Sequence, residues 1–381
     1  PCSVHGNEVG RATGDRLIYK NGRLYFGSQT AGIIYSEDMG ESWQSIDLFG
    51  EKNISLIWTD SEGKLFIAGC SGEANSPDGV TRGHTLYCST DGLKSFVPLT
   101  APDPVKYENS SYYGFVPQRI TSDSRYVYIT FASSGEVFYG GMGAYACDTG
   151  SLSGGKVYRY RIENGVPVFD KDITPEDHIP CGYSGICSNG KMLLLSTVCR
   201  KNGGDMIYTS TDSGESWQII MNRLEYSRFD WNIPYMKPQY NGGGNCVHWI
   251  SDIKLSPFDS DTALFNTGTG LFMITGLASG DVLVKPFCEG IEETVHLNVY
   301  TTPHGRNRII DIIGDLGGFA FEDYDSECEN SFANEKGDRY ITCLNADFTL
   351  QRPEYIVATP RGNWTGKTKG GLILSKAVSY T

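Results

Sequence analysis

The chain has 381 residues, 46 of them glycine, and a net charge of −13. It is long enough for a large core, but all-β architectures reach this size as single units, so length alone does not set the number of domains. It contains no Lys/Arg cluster and no apolar run of about 18 residues, which argues against nucleic-acid and membrane partners and favours a neutral ligand.

The eleven cysteines and three N-x-S/T sequons point to an oxidising, secretory compartment with several disulfides. The sequons, which predict N-glycosylation, begin at Asn53, Asn109 and Asn363. Because the number of cysteines is odd, we expect one thiol to be free or paired outside this chain. The first residues, PCSVHGNE, include neither Met nor a signal peptide, so we expect a secreted protein in a mature or trimmed form.

Short runs in which apolar and polar residues alternate follow one another along the chain and predict strands. Helical periodicity is almost absent, and glycine-rich turns separate the runs. Many short strands with turn residues between them are typical of a sandwich, a barrel or a propeller. In chain order the main runs are RLYFGSQTAGIIYS (23–36), KLFIAGCS (64–71), YVYITFASS (126–134), KVYRYRI (156–162), KMLLLSTVC (191–199) and TALFNTGTGLFMI (262–274).

An internal repeat decides among these architectures. Three segments share the pattern S-x-D-x-G-x-x-W/F, and each follows a strand that has a Tyr close to its end. This pattern is the Asp-box of sialidase-like β-propellers, and the spacing of the copies fits four-stranded blades. We therefore predict an all-β fold with β-propeller blades. The copies are SEDMGESW (36–43), STDGLKSF (89–96), with its glycine one place early, and STDSGESW (210–217).

Each copy predicts the same local structure. The aspartate accepts hydrogen bonds from the amides of its own turn, a glycine takes a positive φ, and the aromatic residue packs under the hairpin. These boxes indicate the fold and not the function, and we expect their tryptophans to be core residues. The residues are Asp38 and Trp43, Asp91 and Phe96, and Asp212 and Trp217.

Four other segments resemble glycoside hydrolase family seventy-four, the xyloglucan-cleaving endo-β-1,4-glucanases, in the right order. The family patterns are G-N-x-x-G-R-x-x-G-E-R-L, W-I-x-x-L-x-I-D-P-F-N-S-D-x-x-L-Y-G-T-G, G-I-E-E-T-x-x-x-x-L-x-x-P and G-D-I-G-G-F-x-H-D-D-L-D. The matching segments are GNEVGRATGDRL (6–17), WISDIKLSPFDSDTALFNTGTGLF (249–272), EGIEETVHLNVYTTPHG (289–305) and IGDLGGFAFEDYD (313–325).

The resemblance implies two seven-bladed propellers that face each other across a cleft, with one Asp-x-Gly-Gly turn of each supplying a carboxylate. Asp315 matches the general acid of the family. A glycosidic oxygen is a poor leaving group unless it is protonated, so this carboxyl should stay neutral through partial burial. An opposing carboxylate would activate water with inversion. The residues alone leave open that Asp315 caps its own turn.

The second carboxylate is not found. In the family it lies in a T-D-x-G-G-x-Y-R-W stretch upstream of the first matching segment, and this chain has no second D-x-G-G. The resemblance therefore implies that residues 1–290 form most of a first propeller, and that 291–381 open a second propeller or close the first. Missing segments or a second chain would complete both. The family His after G-G-F is Phe321 here.

A neutral polysaccharide needs aromatic and polar contacts along a cleft. We predict Trp231 and Tyr235 as substrate-binding residues, and expect Gly317 and Gly318 to let a sugar ring approach the backbone. The resemblance also implies substrate-binding residues in the first matching segment (6–17). They are Arg11 and Asp15, the latter standing where the family usually has Glu.

Two functional hypotheses stay open. The first is a secreted, inverting endo-β-1,4-glucanase that acts on xyloglucan, with its general base outside this chain. The second is a non-catalytic extracellular propeller that binds glycan or builds a matrix. A sialidase is disfavoured because the early R-I-P segment of sialidases is not recognisable in this chain. A sortilin-like receptor propeller ranks third, behind the two hypotheses. The six histidines show no metal-ligand spacing and no phosphate loop is present, so we expect neither metal nor cofactor.

Overall fold

The structure is a computed structural model in two compact units. The first comprises Pro1–Arg228, Val247–Gly268 and Met273–Val284, and the second comprises Phe229–Cys246, Thr269–Phe272 and Lys285–Thr381. The predicted division between 1–290 and 291–381 stays a prediction. The structure describes residues 15–28, 31–46, 54–71, 84–99, 116–133, 154–176, 179, 181–200, 204–222, 228–236, 247–291, 294–303, 307–323, 325, 330–362 and 368–376.

The first two sheets of the first unit are antiparallel and have four strands each, in chain order. Tyr25 of the second strand pairs with Ile18 and Tyr35, and Ile67 of the sixth pairs with Trp58 and Cys88. The strands are β1 (Leu17–Lys20), β2 (Arg23–Gly27), β3 (Ile33–Ser36) and β4 (Gln44–Ile46), then β5 (Ile54–Thr59), β6 (Phe66–Ser71), β7 (His84–Ser89) and β8 (Val97–Pro98).

The next two sheets repeat this meander, again with sequential strands as neighbours. They are built from β9 (Val116–Ser122), β10 (Tyr126–Ser133), β11 (Gly154–Glu163) and β12 (Val166–Asp172), and from β13 (Gly182–Ser188), β14 (Leu193–Val198), β15 (Ile207–Ser210) and β16 (Gln218–Met221). In β14 all six side chains are buried, because both faces of this strand are covered.

Successive sheets of the first unit pack face to face. Each Å² of apolar surface buried in this way stabilises the fold by about 25 cal/mol. Tyr25 and Ile33 of the first sheet pack with Ile57 and Phe66 of the second. The second and third sheets, and then the third and fourth, pack in the same way: Leu56 and Ile67 with Val127 and Ile129, and Tyr128 and Val157 with Ile186 and Leu195.

The following stretch contains five more strands and one 3₁₀ helix, Pro234–Met236. Within the first unit β18 pairs antiparallel with β19, with Ile253 opposite Phe265. The strands are β17 (Arg228–Phe229), β18 (Asp252–Leu255), β19 (Ala263–Thr267), β20 (Gly270–Thr275) and β21 (Leu283–Pro286).

The second unit contains a sheet in the order β22-β23-β24-β26-β27-β28, with β25 paired to β24. One face packs Ile310, Ile312 and Ile356, and the other packs Ile313, Leu316 and Phe319. The strands are β22 (Val295–Thr301), β23 (Ile309–Gly314), β24 (Gly317–Phe321), β25 (Asn330–Ser331), β26 (Thr342–Thr349), β27 (Arg352–Arg361) and β28 (Ile373–Lys376).

The three repeated turns have the hydrogen bonds that their sequence predicts. In the first, Asp38 Oδ1 accepts from the Ser36 hydroxyl at 2.7 Å and the Ser42 amide at 2.8 Å. Asp91 and Asp212 accept the equivalent bonds. Hydrogen bonds from the serine hydroxyl four residues on lower the pKa of all three carboxyls to about 2.

The early glycine of the second turn also has an explanation. Each turn has two consecutive residues with positive φ, at Met39–Gly40, Gly92–Leu93 and Ser213–Gly214. A single glycine at either place lowers the cost of the left-handed pair, so its position can differ by one residue.

The expectation that both tryptophans are core residues is wrong for Trp43. Its side chain is 41% exposed, and its indole N–H donates to Gly40 of its own turn at 3.0 Å. Trp217 instead packs against the core of the third and fourth sheets and donates to the Ile173 carbonyl at 2.7 Å. Phe96 packs against the core of the first and second sheets. Among the described residues, no sheet precedes β1 to offer Trp43 the kind of surface on which Trp217 and Phe96 pack.

Candidate active site at the Asp315 turn

Asp315 lies in the tight hairpin turn between β23 and β24. Its φ is +63°, in the left-handed region, where a side chain costs roughly 1–2 kcal/mol and Asp is among the better tolerated residues. Gly317 and Gly318 follow with φ values of +83° and +153°. The backbone at this turn is therefore strained at the position that carries the carboxylate.

The turn is held through its own backbone amides. The Asp315 amide donates to Thr342 Oγ1 at 3.0 Å, and the Gly317 amide donates to the Ile341 carbonyl at 2.7 Å. Among the described residues, none hydrogen-bonds or ion-pairs with the Asp315 carboxylate. The alternative that Asp315 caps its own turn thus finds no support in the described contacts.

Packing within the protein accounts for both glycines. A Cβ atom at Gly317 would lie 2.7 Å from the Tyr340 carbonyl oxygen. At Gly318 it would lie 2.7 Å from the Asp311 carbonyl oxygen and 3.0 Å from the ring of Phe332. Approach of a sugar is not needed to explain glycine at either position, and substrate binding there stays a prediction.

The partial burial expected for Asp315 is not found, because its side chain is exposed. Asp323 and Asp325 are exposed as well, and the Asp325 amide donates to Asp323 Oδ1 at 2.9 Å. In the described ranges the protein itself therefore does not shield this carboxylate from water.

Tyr235 lies beside the turn. Its ring is half-buried against the cluster of Ile313, Leu316 and Phe319, and its hydroxyl donates to the Thr269 carbonyl at 3.3 Å. Leu316 is the residue directly after Asp315. The structure thus brings together the predicted acid and one of the two predicted aromatic residues.

Trp231 has a different environment. Its ring stacks on Phe229 with a centroid distance of 4.8 Å and an interplanar angle of 7°, and its edge meets Phe272 at 6.3 Å. Aromatic packing of this kind stabilises the fold by itself. Contact of Trp231 with a substrate stays a prediction.

Comparison with known proteins gives relatives along almost the whole chain, although no family model matches. An oligoxyloglucan-reducing end-specific xyloglucanase of Emericella nidulans is 24% identical over 424 residues, covering 95% of this chain and 50% of the relative. A xyloglucanase of a Paenibacillus species is 22% identical, covering 96% and 37%. The crystal structure of a family 74 xyloglucanase from Xanthomonas campestris matches with a TM-score of 0.72 at 20% identity, covering 97% of this chain and 52% of that chain.

The resemblance to glycoside hydrolase family seventy-four is confirmed. The predicted all-β propeller fold is confirmed with it. The chain is glycoside hydrolase-like, and it spans about half the length, or less, of the relatives it matches.

In the first unit, Asp15 takes part in an ion-paired cluster. Its carboxylate lies 3.6 Å from Arg119 Nε, and Asp252 lies 3.3 Å from the same nitrogen. Arg119 is largely buried on β9, and its Nη1 donates to the Gln118 carbonyl. Two carboxylates that share one largely buried guanidinium make a good structural cluster, and a substrate contact by Asp15 stays a prediction.

Several predicted residues lie outside the described residues. They are Arg11 and the three sequon asparagines Asn53, Asn109 and Asn363. The prediction of several disulfides is not met at four described cysteines, Cys88, Cys187, Cys288 and Cys343, which are buried free thiols.

Two ionisable groups have no recognisable signal in the sequence. His296 pairs with Asp311, which is 15 residues away and on the neighbouring strand. Asp205 is completely buried inside the first unit. Both arrangements depend on strand register and packing, which a single sequence does not reveal.

The described part of the chain has no group of three or more His, Cys, Asp or Glu side chains placed to hold a metal ion. Within the same ranges, no helix has the length and apolar character that crossing a bilayer requires.

Proposed function

We propose that this chain is part of a secreted glycoside hydrolase that cleaves the β-1,4-glucan backbone of xyloglucan, or of a related neutral polysaccharide, with Asp315 as general acid. The observation that carries the proposal is an exposed carboxylate on a left-handed residue that the turn does not use. Strain without a structural benefit is typical of functional positions. Secretion is proposed from the three sequons alone.

The relatives and the turn support the same chemistry. The names of the two relatives describe action on xyloglucan or its oligosaccharides. Tyr235, beside the turn, offers an aromatic surface suited to a sugar ring. The net charge of −13 is compatible with a neutral substrate and unfavourable for an anionic one.

In the proposed reaction, the Asp315 carboxyl gives its proton to the glycosidic oxygen as the bond to the anomeric carbon breaks. A second carboxylate on the opposite side of the sugar takes a proton from the attacking water, which inverts the configuration. Such a pair is spaced roughly 6.5–9.5 Å apart. We propose that the second carboxylate comes from sequence outside this chain, and that substrate and the completed cleft shield Asp315.

The test compares release of reducing ends from xyloglucan by the full-length protein and by its Asp315→Asn variant. We expect the variant to lose about 10²–10⁴-fold in kcat, because the leaving oxygen is no longer protonated. Asp323→Asn removes an exposed carboxylate eight residues away and serves as the matched control. Equal activity of wild type and Asp315→Asn, or no activity in a folded wild type, would refute the assignment.

A non-catalytic glycan-binding propeller is the second candidate. It is favoured by the exposure of Asp315 and by Phe321, which stands where the family motif has His. This function predicts that the folded protein binds xyloglucan with unchanged affinity after Asp315→Asn and releases no reducing ends. Isothermal calorimetry with xyloglucan oligosaccharides, run beside the hydrolysis assay, separates the two functions.

A further inference from the structure

Trp249, just before β18 in the first unit, has a backbone conformation that bulky residues avoid. Its φ is +60°, in the left-handed region, where a large side chain is a genuine outlier. Apart from Cys199, the other described non-glycine residues with positive φ lie in hairpin turns or in the three repeated turns. Trp249 lies in neither kind of turn, so closing a turn does not explain its strain.

A buried carboxylate holds this conformation. Asp205 accepts hydrogen bonds from the Ile250 amide at 3.2 Å and from the amide of Trp249 itself. It also accepts from the Arg200 amide at 2.9 Å, directly after Cys199, whose φ is +58°. Asp205 has no exposed surface, and burying a carboxylate is unfavourable. The protein therefore buries an ionisable group to fix two strained residues, one of which is Trp249.

The Trp249 ring lies on backbone at the surface of the first unit. A Cβ atom at Gly268 would lie 2.8 Å from Trp249 Cε3, so the ring packs directly on this glycine. The His248 ring meets it edge-on, with a centroid distance of 4.7 Å and an interplanar angle of 62°. Gly268 is exposed, and Trp249 is half-buried. Among the described residues, none accepts a hydrogen bond from the indole N–H, so the ring offers solvent an apolar surface and a donor.

A fixed polar side chain lies at the same end of the β18–β19 pair. Asp252 and Asn266 form the last pair of this ladder, and Trp249 and Gly268 lie just beyond it. The exposed Asn266 accepts from the Asp252 amide at 2.9 Å through Oδ1 and donates to the Ser251 hydroxyl at 2.8 Å through Nδ2. Within the described contacts, one N–H of this amide is left for a ligand. An aromatic surface beside such a group suits a sugar ring, which has apolar C–H faces and a rim of hydroxyls.

We propose that Trp249 and Asn266 bind one ring of a neutral polysaccharide on the first unit. The face of the sugar packs on the indole, and its hydroxyls bond the Asn266 amide. The inference rests on the proposed function for its substrate class, xyloglucan or a related β-1,4-glucan, but not on Asp315 as the general acid. Trp249 holds part of the glucan chain and takes no part in bond cleavage, so its loss weakens binding.

The competing explanation is that Trp249 only packs the segment that leads into β18. Packing alone does not account for the strain, because a glycine at this position would adopt the same backbone conformation without it. It also does not account for leaving a large aromatic ring half in solvent on an exposed glycine. Strain of this kind is typical of functional positions, and a binding role for the ring explains all three features together.

The first test measures affinity for xyloglucan oligosaccharides by isothermal calorimetry, in full-length protein that carries Asp315→Asn so that the ligand is not cleaved. We expect Trp249→Ala to weaken binding about tenfold, and Trp249→Phe, which keeps an aromatic surface, less than about threefold. Trp43→Ala is the matched control, since Trp43 is an exposed tryptophan of the same unit whose indole donates to its own turn. Equal losses for Trp249→Ala and Trp43→Ala, or no loss in a folded Trp249→Ala variant, would overturn the site.

Asn266→Asp tests the polar half of the site. It keeps the oxygen that accepts from the Asp252 amide and removes both N–H groups. We expect affinity to fall about three- to tenfold, the effect of losing a hydrogen bond to the ligand. Unchanged affinity of the folded variant would contradict the part assigned to Asn266.

A second measurement detects contact directly and does not depend on a truncated variant. The indole N–H signal of Trp249 in a heteronuclear NMR spectrum is identified by its disappearance in Trp249→Phe. We expect xyloglucan oligosaccharides to shift this signal and not that of Trp43, and an anionic oligogalacturonate to shift neither. An unmoved Trp249 signal in protein saturated with xyloglucan oligosaccharide would refute the site.

The outcomes separate this site from the proposed catalysis. Ligand that binds and shifts the Trp249 signal while Asp315→Asn stays fully active refutes the general acid and supports the site. Hydrolysis that depends on Asp315, with a Trp249 signal that ignores bound ligand, refutes the site alone. Absence of any binding of xyloglucan oligosaccharides by the folded protein refutes the substrate class and the site together.

Discussion

Asp205 is a carboxylate with no exposed surface in the core of the first unit. It accepts hydrogen bonds from the Thr197 hydroxyl at 2.8 Å, the Arg200 amide at 2.9 Å and the Ile250 amide at 3.2 Å. These bonds favour the charged form, but loss of hydration outweighs them and raises the pKa of Asp205 to about 6. Asp205 ties the segment around Ile250 to β14 at the cost of burying an ionisable group.

The raised pKa predicts a pH-dependent contribution to stability. An unfolded Asp has a pKa of about 3.9, so the contribution of Asp205 is complete below that value and is lost as pH rises through about 6. Relative to Asp205→Asn, which stays neutral, the wild type should lose about 2 kcal/mol of unfolding free energy between pH 4 and pH 7. Urea denaturation at both pH values measures the difference. A gap between the two proteins that is constant with pH would contradict the assignment.

At the scale of the element, the repeated turn is a local unit whose aromatic residue depends on its neighbour. The Ser-x-Asp hydrogen bonds are alike in all three copies, because their partners lie within the same eight residues. The aromatic residue must find a surface elsewhere. In the third copy Gly214 also lies against Ile173 of the preceding segment, where a Cβ atom would meet Ile173 Cδ1 at 2.5 Å. This turn therefore anchors one sheet to the next.

The contrast between Trp217 and Trp43 gives a matched pair of substitutions. Trp217→Phe removes the indole bond to the Ile173 carbonyl and should destabilise the protein by about 1–2 kcal/mol. Trp43→Phe removes a bond within an exposed turn and should cost less than about 0.5 kcal/mol. Guanidinium denaturation followed by tyrosine fluorescence or circular dichroism compares the two. Equal losses would mean that Trp43 is buried in the folded protein.

At the scale of the whole molecule, sequence reasoning succeeded where the signal is local or repeated. The three Asp-containing turns and the strands that lead into them follow from residues close in the chain, and the ordered segments around Asp315 indicate the family. The prediction that Trp43 is a core residue was wrong because the exposure of its side chain depends on which sheet lies beside it. The exposure of Asp315 and the pairing of His296 with Asp311 depend on strand register, including the irregularity between His296 and Asn298. Such long-range features leave no pattern in one sequence.

The cysteines bear on the compartment of the whole protein. Burial raises the pKa of the Cys88 and Cys343 thiols, and that of Cys187 to about 12, so these groups should be unreactive in the folded state. Cys288 is also a buried free thiol. With eleven cysteines in the chain and four of them free, seven remain, which allows three disulfides at most.

We therefore predict that a thiol reagent applied in denaturant without reductant titrates at least four thiols per chain. In the native protein the same four should react at least tenfold more slowly, because a buried, protonated thiol is a poor nucleophile. Mass spectrometry of the alkylated peptides identifies which cysteines reacted, and a reduced sample gives the total of eleven. Fewer than four thiols in denaturant would show that some of these four form disulfides, which would strengthen the case for secretion. Four or more would leave the sequons as its sole support.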